Sequence, residues 1–232
     1  MTIPALLAIT AGSAIACGVL LVAEWRHHPT LRIGAKAFAS VLFVVLGLVL
    51  LVSTFDVDGS PGWASYGRWM LGGLVLGMVG DLALLGRSNR AFLAGLIAFL
   101  LGHCAYIVGF AQLAPPRDWL AVAGIYAAAP VVTGLAALAV LWRSLKTMKL
   151  PVIVYVTAII TMVIGAIAVA RGSEPPLCSR ALLATGASLF FVSDLAVARD
   201  KFHSKTLANK LWGLPAYYAG QLLIAWSLAS PT

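Results

Sequence analysis

Two aspartates lie inside long apolar stretches of the sequence, and both are followed by Leu-Ala. They are Asp81, in Gly80-Asp81-Leu82-Ala83, and Asp194, in Ser193-Asp194-Leu195-Ala196. An ionisable side chain at membrane depth is costly, so a residue of this kind indicates a function. Two carboxylates in equivalent places can act as a proton donor and a proton acceptor. The sequence therefore predicts acid–base chemistry by Asp81 and Asp194.

Other unusual residues lie on one face of the fourth apolar stretch. Spacings of three and four residues bring them together on a helix, and they are Phe92, Gly95, Phe99, His103 and Tyr106. We expect Gly95 to lie level with Asp81, where a glycine permits close helix approach, and Gly73 and Gly77 form a similar stripe. These glycines could equally form packing seams only. His103 and Tyr106 are candidates to bind a substrate, and the alternative for His103 is a hydrogen-bonded structural role.

Four further polar residues could bind a substrate or orient the carboxylates. Tyr155 lies in the sixth apolar stretch, and Tyr218 and Gln221 lie in the last one. Buried phenols and amides require hydrogen-bond partners, and for these residues the alternative is bonding between helices without a substrate. Lys36 opens the second stretch and could bind a phosphate, although an isolated lysine there more often extends to the membrane interface.

The composition is that of a membrane protein. Of the 232 residues 61% are hydrophobic and 10% are charged, whereas about a quarter of a soluble domain is charged. The net charge of +8 is spread over short loops, and it forms no basic domain or stripe of the kind that binds nucleic acid. The charge instead indicates membrane topology and attraction to anionic lipid headgroups. We predict a single integral membrane domain over residues 1–232, in contact with membrane lipid.

Eight stretches are long enough to cross a bilayer, which requires about 20 apolar residues. They are residues 3–23, 34–54, 65–86, 90–112, 118–141, 150–170, 178–198 and 209–229. Twelve of the 16 Lys and Arg residues follow the odd-numbered stretches. By the positive-inside rule these loops are cytoplasmic, and both termini lie on the other side. The predicted fold is all-α, a polytopic membrane protein of eight transmembrane helices.

The two aspartates have matching places in this scheme. Asp81 is ~9 Å inside Arg87 and Asp194 is ~8 Å inside Arg199, at a helical rise of about 1.5 Å per residue. Their shared Asp-Leu-Ala suggests two four-helix halves in parallel arrangement, although the halves are otherwise little alike. We expect the two carboxylates to meet across one chamber that opens toward the cytoplasmic leaflet.

Several other chemistries lack their motifs in this sequence. There is no GxSxG nucleophile elbow, no Walker motif and no dinucleotide fingerprint. Three of the four histidines fall in loops, and neither HxxxH nor HExxH occurs, so a zinc site is not predicted. The three cysteines form no CxxC, which argues against a disulfide framework or a metal–thiolate site. We expect an activity that needs no cofactor and no metal.

The chain resembles the YhhN-like lysoplasmalogenase family, a group of eight-helix integral membrane proteins. The resemblance rests on Lys36, Gly80-Asp81 with Leu84-Leu85, Phe92-x-x-Gly95 with Phe99, His103 and Tyr106, Leu150-Pro151 with Tyr155, Ser193-Asp194, and Tyr218-x-x-Gln221. Each motif is short, but together they span most of the chain in the family's order and spacing. Ala37 follows Lys36 here, where the family often has a proline.

The resemblance implies a hydrolase that cleaves the vinyl ether bond of lysoplasmalogens to a fatty aldehyde and a glycerophospho-headgroup. Such ethers hydrolyse by protonation at carbon, and water then captures an oxocarbenium-like cation. This chemistry needs an acid and an anion near the cation, and two carboxylates in a site of low dielectric can supply both. Either aspartate could be the acid. A phosphate near Lys36, Arg87 or Arg90 would bring the ether of a lysophospholipid to the level of the aspartates.

A second interpretation is a proton-coupled transporter or lipid-binding membrane protein that uses the same aspartates. A transporter would move protons together with its substrate in liposomes and leave the lipid intact. A hydrolase would release aldehyde in detergent without a gradient. The expected location in either case is a bacterial inner membrane, with the site toward the cytoplasmic leaflet.

Overall fold

The computed structural model describes residues 2–55, 61–86, 88–173 and 175–229, and within these ranges the chain forms helices and turns but no strand. The predicted all-α fold is therefore confirmed. The α-helices are α1 (Ile3–Trp25), α2 (Pro29–Phe55), α3 (Pro61–Ala83), α4 (Asn89–Ala111), α5 (Trp119–Ala123), α6 (Ala128–Leu141), α7 (Lys149–Arg171), α8 (Leu177–Phe202) and α9 (Leu207–Trp226). Arg87, one of the residues expected near a substrate phosphate, lies outside the described residues.

Six helical segments in the described part of the chain are long and apolar enough to cross a membrane. They are Ile3–Trp25, Pro29–Ser53, Asn89–Ala111, Pro116–Leu141, Lys146–Arg171 and Leu177–Phe202. Helices α3 and α9 are not among them, since Arg68 and Asp81 in α3 and Asn209 and Gln221 in α9 dilute their apolar character. The protein is an integral membrane protein, and its count of eight spans stays a prediction.

The fifth predicted stretch is broken rather than continuous. A 3-10 turn, Gly124–Ala127, separates α5 from α6, and Gly124 has a φ of 55°. This left-handed conformation favours glycine, which has no Cβ to clash with the backbone. The prediction of one helix over residues 118–141 was therefore wrong in this detail. Helix α2 also begins earlier than predicted, at Pro29, because proline is well tolerated in the first turn of a helix.

Corresponding helices pack together in the two halves of the chain. Helix α3 packs along α4 and against α2, while α8 packs along α9 and against α7. Contacts of α2 with α9 and of α4 with α7 join the halves. Small residues bring α3 and α4 close, since a Cβ added to Gly95 would lie 3.3 Å from the carbonyl oxygen of Gly80. The expected close approach beside Asp81 is confirmed.

Aromatic side chains fill the centre between the halves. The ring of Phe99 on α4 meets Phe190 on α8 and Tyr217 on α9 edge to face, with centroids 6.1 and 5.8 Å away. Phe190 and Tyr217 also contact each other, at 5.4 Å. Edge-to-face pairs are favourable because the positive ring edge meets the negative ring face. Phe99 also packs at the Cβ position of Gly80 on α3, so this cluster contacts both helices that carry the aspartates.

The glycine stripe on α3 makes room for polar side chains of neighbouring helices. A Cβ added to Gly73 would overlap the ring of Tyr106, and one added to Gly77 would lie 2.5 Å from Gln221 Nε2 and 3.1 Å from Tyr217 Oη. The stripe is therefore more than a seam between apolar surfaces. It lets two tyrosines and an amide approach the α3 backbone.

Gly73→Ala is expected to lower the free energy of unfolding by about 1–3 kcal/mol, because the added methyl group overpacks against Tyr106. Gly72→Ala is a matched control, since a Cβ at Gly72 would meet no other helix of the described chain within 4 Å. That control should be neutral or more stable by about 0.5–1 kcal/mol, because alanine loses less entropy on helix formation. Thermal unfolding in detergent measures both, and equal stabilities would contradict the assigned contact.

Candidate active site

Asp194 lies on α8 and bonds to two side chains through one carboxylate oxygen. Tyr155 Oη, from α7, donates a hydrogen bond to Oδ2 at 2.7 Å. His103 Nε2, from α4, lies 3.1 Å from the same oxygen and 3.1 Å from Tyr155 Oη. Three helices thus bring these three side chains into one compact cluster. The hydrogen bonds of the described residues leave the other oxygen, Asp194 Oδ1, without a partner.

His103 is fully buried, and its environment favours one arrangement of its proton. Its ring contacts Tyr155 and Phe190, with centroids 5.1 and 4.6 Å away. Nδ1 is buried and has no hydrogen-bond partner within the described chain. A proton on Nδ1 would be an unsatisfied buried donor, so the tautomer with the proton on Nε2 fits best. That N–H then donates to Asp194, which makes the histidine a direct partner of the carboxylate.

An apolar cavity between α4, α6, α7 and α8 ends at Asp194. The empty space within and in front of it, open solvent included, is about 690 Å³. Its walls are Leu84, Phe92, Leu96, Phe99, Ala137, Leu138, Leu141, Val152, Tyr155, Val156, Ile159, Phe191, Asp194, Leu195, Val197, Ala198 and Phe202. Asp194 and Tyr155 are the polar members of this set, and the Asp194 side chain is 12% exposed. An apolar pocket with a few convergent polar groups is the usual form of a small-molecule site.

Asp81 lies in a second polar cluster, formed by α2, α3 and α9. Lys36 Nζ is 3.1 Å from Asp81 Oδ1, and Ser40 Oγ donates to Oδ2 at 2.6 Å. Tyr218 Oη is 3.5 Å from the same oxygen. Lys36 and Asp81 are both buried, so the expectation that Lys36 extends to the interface was wrong. An inward-facing aspartate on the neighbouring helix gives the ammonium a stronger partner than the interface offers.

Ser40 was missed by sequence reasoning, although a signal for it exists. It follows Lys36 by four residues, which puts both side chains on the same helical face. A hydroxyl one turn from a lysine that points inward is well placed to share its carboxylate partner. The signal depends on knowing that Lys36 points inward, which the sequence alone does not show.

The two aspartates occupy separate surroundings rather than the shared chamber that we expected. Asp194 lines the cavity and Asp81 does not, and no hydrogen bond or ion pair within the described chain joins them. Phe99 packs between the cavity and the backbone of Gly80, the residue before Asp81. It lines the cavity on one side, and on the other its ring atoms are 2.8 Å from the position of a Cβ on Gly80.

Tyr106 and Gln221 bond to each other rather than to either carboxylate. Tyr106 Oη donates to Gln221 Oε1 at 2.7 Å, which links α4 to α9. Gln221 Nε2 and Tyr217 Oη are buried donors without a partner among the described residues. Of the sequence's substrate-binding candidates, Tyr155 lies at the cavity wall and His103 lies directly behind it. Lys36, Tyr106, Tyr218 and Gln221 are absent from the wall.

The basic helix ends that the sequence assigns to one side of the membrane meet in the structure. Arg32 near the start of α2 bonds to Glu24 at 2.8 Å and to the carbonyl oxygen of Leu84, after α3, at 3.3 Å. Lys201 near the end of α8 reaches Asn89 at the start of α4, at 3.1 Å. Both aspartates lie toward this end of the bundle, as their distances from the basic loops indicate.

The fold and the site together define a helical integral membrane protein in which a carboxylate, a phenol and an imidazole meet at an apolar cavity. Residues 31–228 match the YhhN family, and the chain belongs to that family. It is 30% identical over 185 residues to lysoplasmalogenase TMEM86B of Sus scrofa, covering 80% of this chain and 72% of that protein. It is 28% identical over 185 residues to the membrane protein YhhN of Escherichia coli O6:H1, covering 78% of this chain and 84% of that protein. No solved structure matches it.

Proposed function

We propose that the protein is a lysoplasmalogenase, a membrane hydrolase that cleaves the vinyl ether bond of a lysophospholipid. The observation that carries the proposal is Asp194 at the wall of an apolar cavity, with Oδ2 held by Tyr155 and His103 and Oδ1 left unbonded. The similarity of the chain to the lysoplasmalogenase of Sus scrofa supports the substrate class. The hydrocarbon chain of the substrate would occupy the apolar part of the cavity, where its burial is favourable.

The first step is a proton transfer to carbon. Asp194 Oδ1 carries the proton and gives it to the alkenyl carbon that is not bonded to oxygen. The carbon–carbon double bond is consumed, and the positive charge is shared by the other carbon and the ether oxygen. The Asp194 carboxylate that results is stabilised by the hydrogen bonds from Tyr155 and His103 and lies beside the cation. In an apolar site this attraction is stronger than in water.

The second step is the capture of the cation by water. The oxygen of the water bonds to the cationic carbon while the Asp194 carboxylate accepts a proton from that water. This regenerates the acid and gives a hemiacetal. The carbon–oxygen bond of the hemiacetal to glycerol then breaks, the proton of the hemiacetal hydroxyl passes to the glycerol oxygen, and an aldehyde remains. One carboxylate thus serves as acid and then as base. The scheme consumes one water per bond cleaved and requires neither a metal nor a cofactor.

Asp81 has a different part in this proposal from the one that the sequence suggested. Its charge is matched by Lys36, and it is absent from the cavity wall, so we assign it as a positioning residue. Its bonds to α2 and α9 hold the end of α3 in place. Leu84 directly follows that end, and the ring of Phe99 packs against α3 at Gly80. The side chains of Leu84 and Phe99 both form part of the cavity wall.

We also propose that the chain spans the membrane eight times, in two parallel halves, with α5 and α6 forming one span. The bonding of the aspartates supports this arrangement. Asp81 bonds to Lys36 on the second span of its own half and to Tyr218 on the last span of the other half. Asp194 likewise bonds to Tyr155 and His103, on the equivalent spans. With the basic end in the cytoplasm, the site faces the cytoplasmic leaflet of a bacterial inner membrane.

Matched substrates test the proposed activity. Purified protein in detergent is expected to release a fatty aldehyde from a 1-alkenyl lysophospholipid. It should leave the 1-alkyl analogue intact, because that ether has no double bond to protonate. The 1-acyl analogue shows whether ester cleavage accompanies the activity. A folded protein that releases no aldehyde, but carries protons with an intact lipid in liposomes, would replace the hydrolase by the transporter interpretation.

A further inference from the structure

A lysine lies over the rim of the cavity. Lys201 Nζ, near the end of α8, is 4.3 Å from the ring centroid of Phe92 and forms no ion pair with a carboxylate of the described residues. Its bond is to the neutral Asn89 Oδ1, at 3.1 Å. The ring of Phe92 packs edge to face on Phe202 with centroids 6.1 Å apart, and both rings line the cavity. The ammonium group therefore lies where the cavity meets the basic end of the bundle.

Three cations at this end differ from Lys201 because carboxylates balance their charges, while Arg90, Arg199 and Lys205 have, like Lys201, no ion pair among the described residues. The described ion pairs at this end are Lys36 with Asp81 at 3.1 Å, Arg32 with Glu24 at 2.8 Å and Lys210 with Asp200 at 3.2 Å. No carboxylate within the described residues is paired with Lys201. An anion that binds Lys201 would displace only a hydrogen bond to an amide, which costs little.

The depth of Lys201 relative to Asp194 suits one class of ligand. The two residues are seven positions apart on α8, which is about 10 Å along the helix axis. In an extended lysophospholipid the phosphorus lies about 7 Å from the ether-linked carbon, at single-bond lengths near 1.5 Å. The ammonium–phosphate contact adds the remaining distance. A phosphate at Lys201 would therefore bring the vinyl ether to about the level of Asp194.

We propose that Lys201 and Asn89 form a subsite for the phosphate of the lysophospholipid, a placement that rests on the proposed function. The ammonium group of Lys201 donates charge-assisted hydrogen bonds to the phosphate oxygens, and the Asn89 amide donates another. The subsite fixes how far the substrate enters the cavity. It replaces Lys36, whose ammonium group is occupied by Asp81, as the anchor of the headgroup.

The subsite is tested with a substrate pair that differs only in the phosphate group. For Lys201→Met, we expect KM for a 1-alkenyl lysophospholipid to rise about tenfold or more, as for loss of a hydrogen bond to a charged group, with kcat little changed. KM for a phosphate-free 1-alkenylglycerol should not change. Lys205→Met removes the same charge from an exposed residue at the same end and should alter neither KM. Equal effects of Lys201→Met on both substrates would overturn the subsite.

A binding measurement separates this inference from the proposed activity. A non-cleavable 1-alkyl lysophospholipid should raise the Tm of the wild-type protein in detergent, as a ligand of the folded state does. The lipid concentration that gives the same rise in Tm should be about tenfold higher for Lys201→Met than for the wild type. For Lys205→Met it should equal the wild-type concentration. If no aldehyde is released but this difference in binding is seen, the activity fails and the subsite stands. Equal shifts in all three proteins overturn the subsite.

Discussion

Asp194→Asn is expected to lower the rate of vinyl ether hydrolysis by about 10²–10⁴-fold, the usual contribution of a general acid or base. Asparagine has nearly the same shape and still accepts hydrogen bonds from Tyr155 and His103, so the cluster can form. Its amide cannot give a proton to carbon, and it cannot accept one from water. Aldehyde release from a 1-alkenyl lysophospholipid in detergent measures the effect.

Asp118→Asn is the control for this substitution. Asp118 lies beyond the end of α4 that is opposite to the basic end, and its ion pair with Arg117 is exposed, with side chains 52% and 85% accessible. Removal of this pair should leave turnover unchanged, because an exposed ion pair contributes little to stability. Wild-type turnover by folded Asp194→Asn protein would eliminate Asp194 as the acid. An equal loss in both variants would indicate a general effect of the charge change.

The helices and the depth of the aspartates could be predicted because both follow from local properties of the sequence. Apolar length sets where a helix crosses the bilayer, and the positions of Arg and Lys set which end is near a loop. The break at Gly124 gave no such signal. A single glycine in an apolar stretch is common in membrane helices, and only the backbone conformation at Gly124 shows that the helix ends there.

The partners of the aspartates could not be predicted, because they depend on how helices rotate and pack. The spacing of His103 and Phe99 correctly placed both on the inner face of α4. Their roles differ, since His103 bonds to Asp194 while Phe99 packs against the α3 backbone at Gly80. Lys36 is the clearest case. Its long side chain can reach either the interface or the interior, and the position of Asp81 on the next helix decides between them.

Asp81→Leu is expected to lower the free energy of unfolding by about 3–5 kcal/mol, because it leaves the charge of Lys36 buried without a partner. The double variant Lys36→Met/Asp81→Leu should recover most of this loss, since two apolar side chains of similar size can replace a buried ion pair. Unfolding in detergent of the wild type, both single variants and the double variant forms a double-mutant cycle. A double variant as unstable as Asp81→Leu would contradict the assigned pair.

The activity of the double variant decides between one and two catalytic carboxylates. If Asp81 positions the cavity wall, Asp81→Leu should mainly raise KM, because Leu84 and Phe99 contact the hydrocarbon chain. The double variant should then recover the wild-type KM and keep kcat within about tenfold, a change of roughly 1.4 kcal/mol in the barrier. If Asp81 instead acts on the substrate, the stable double variant should lose as much kcat as Asp194→Asn. That loss would restore the two-aspartate mechanism.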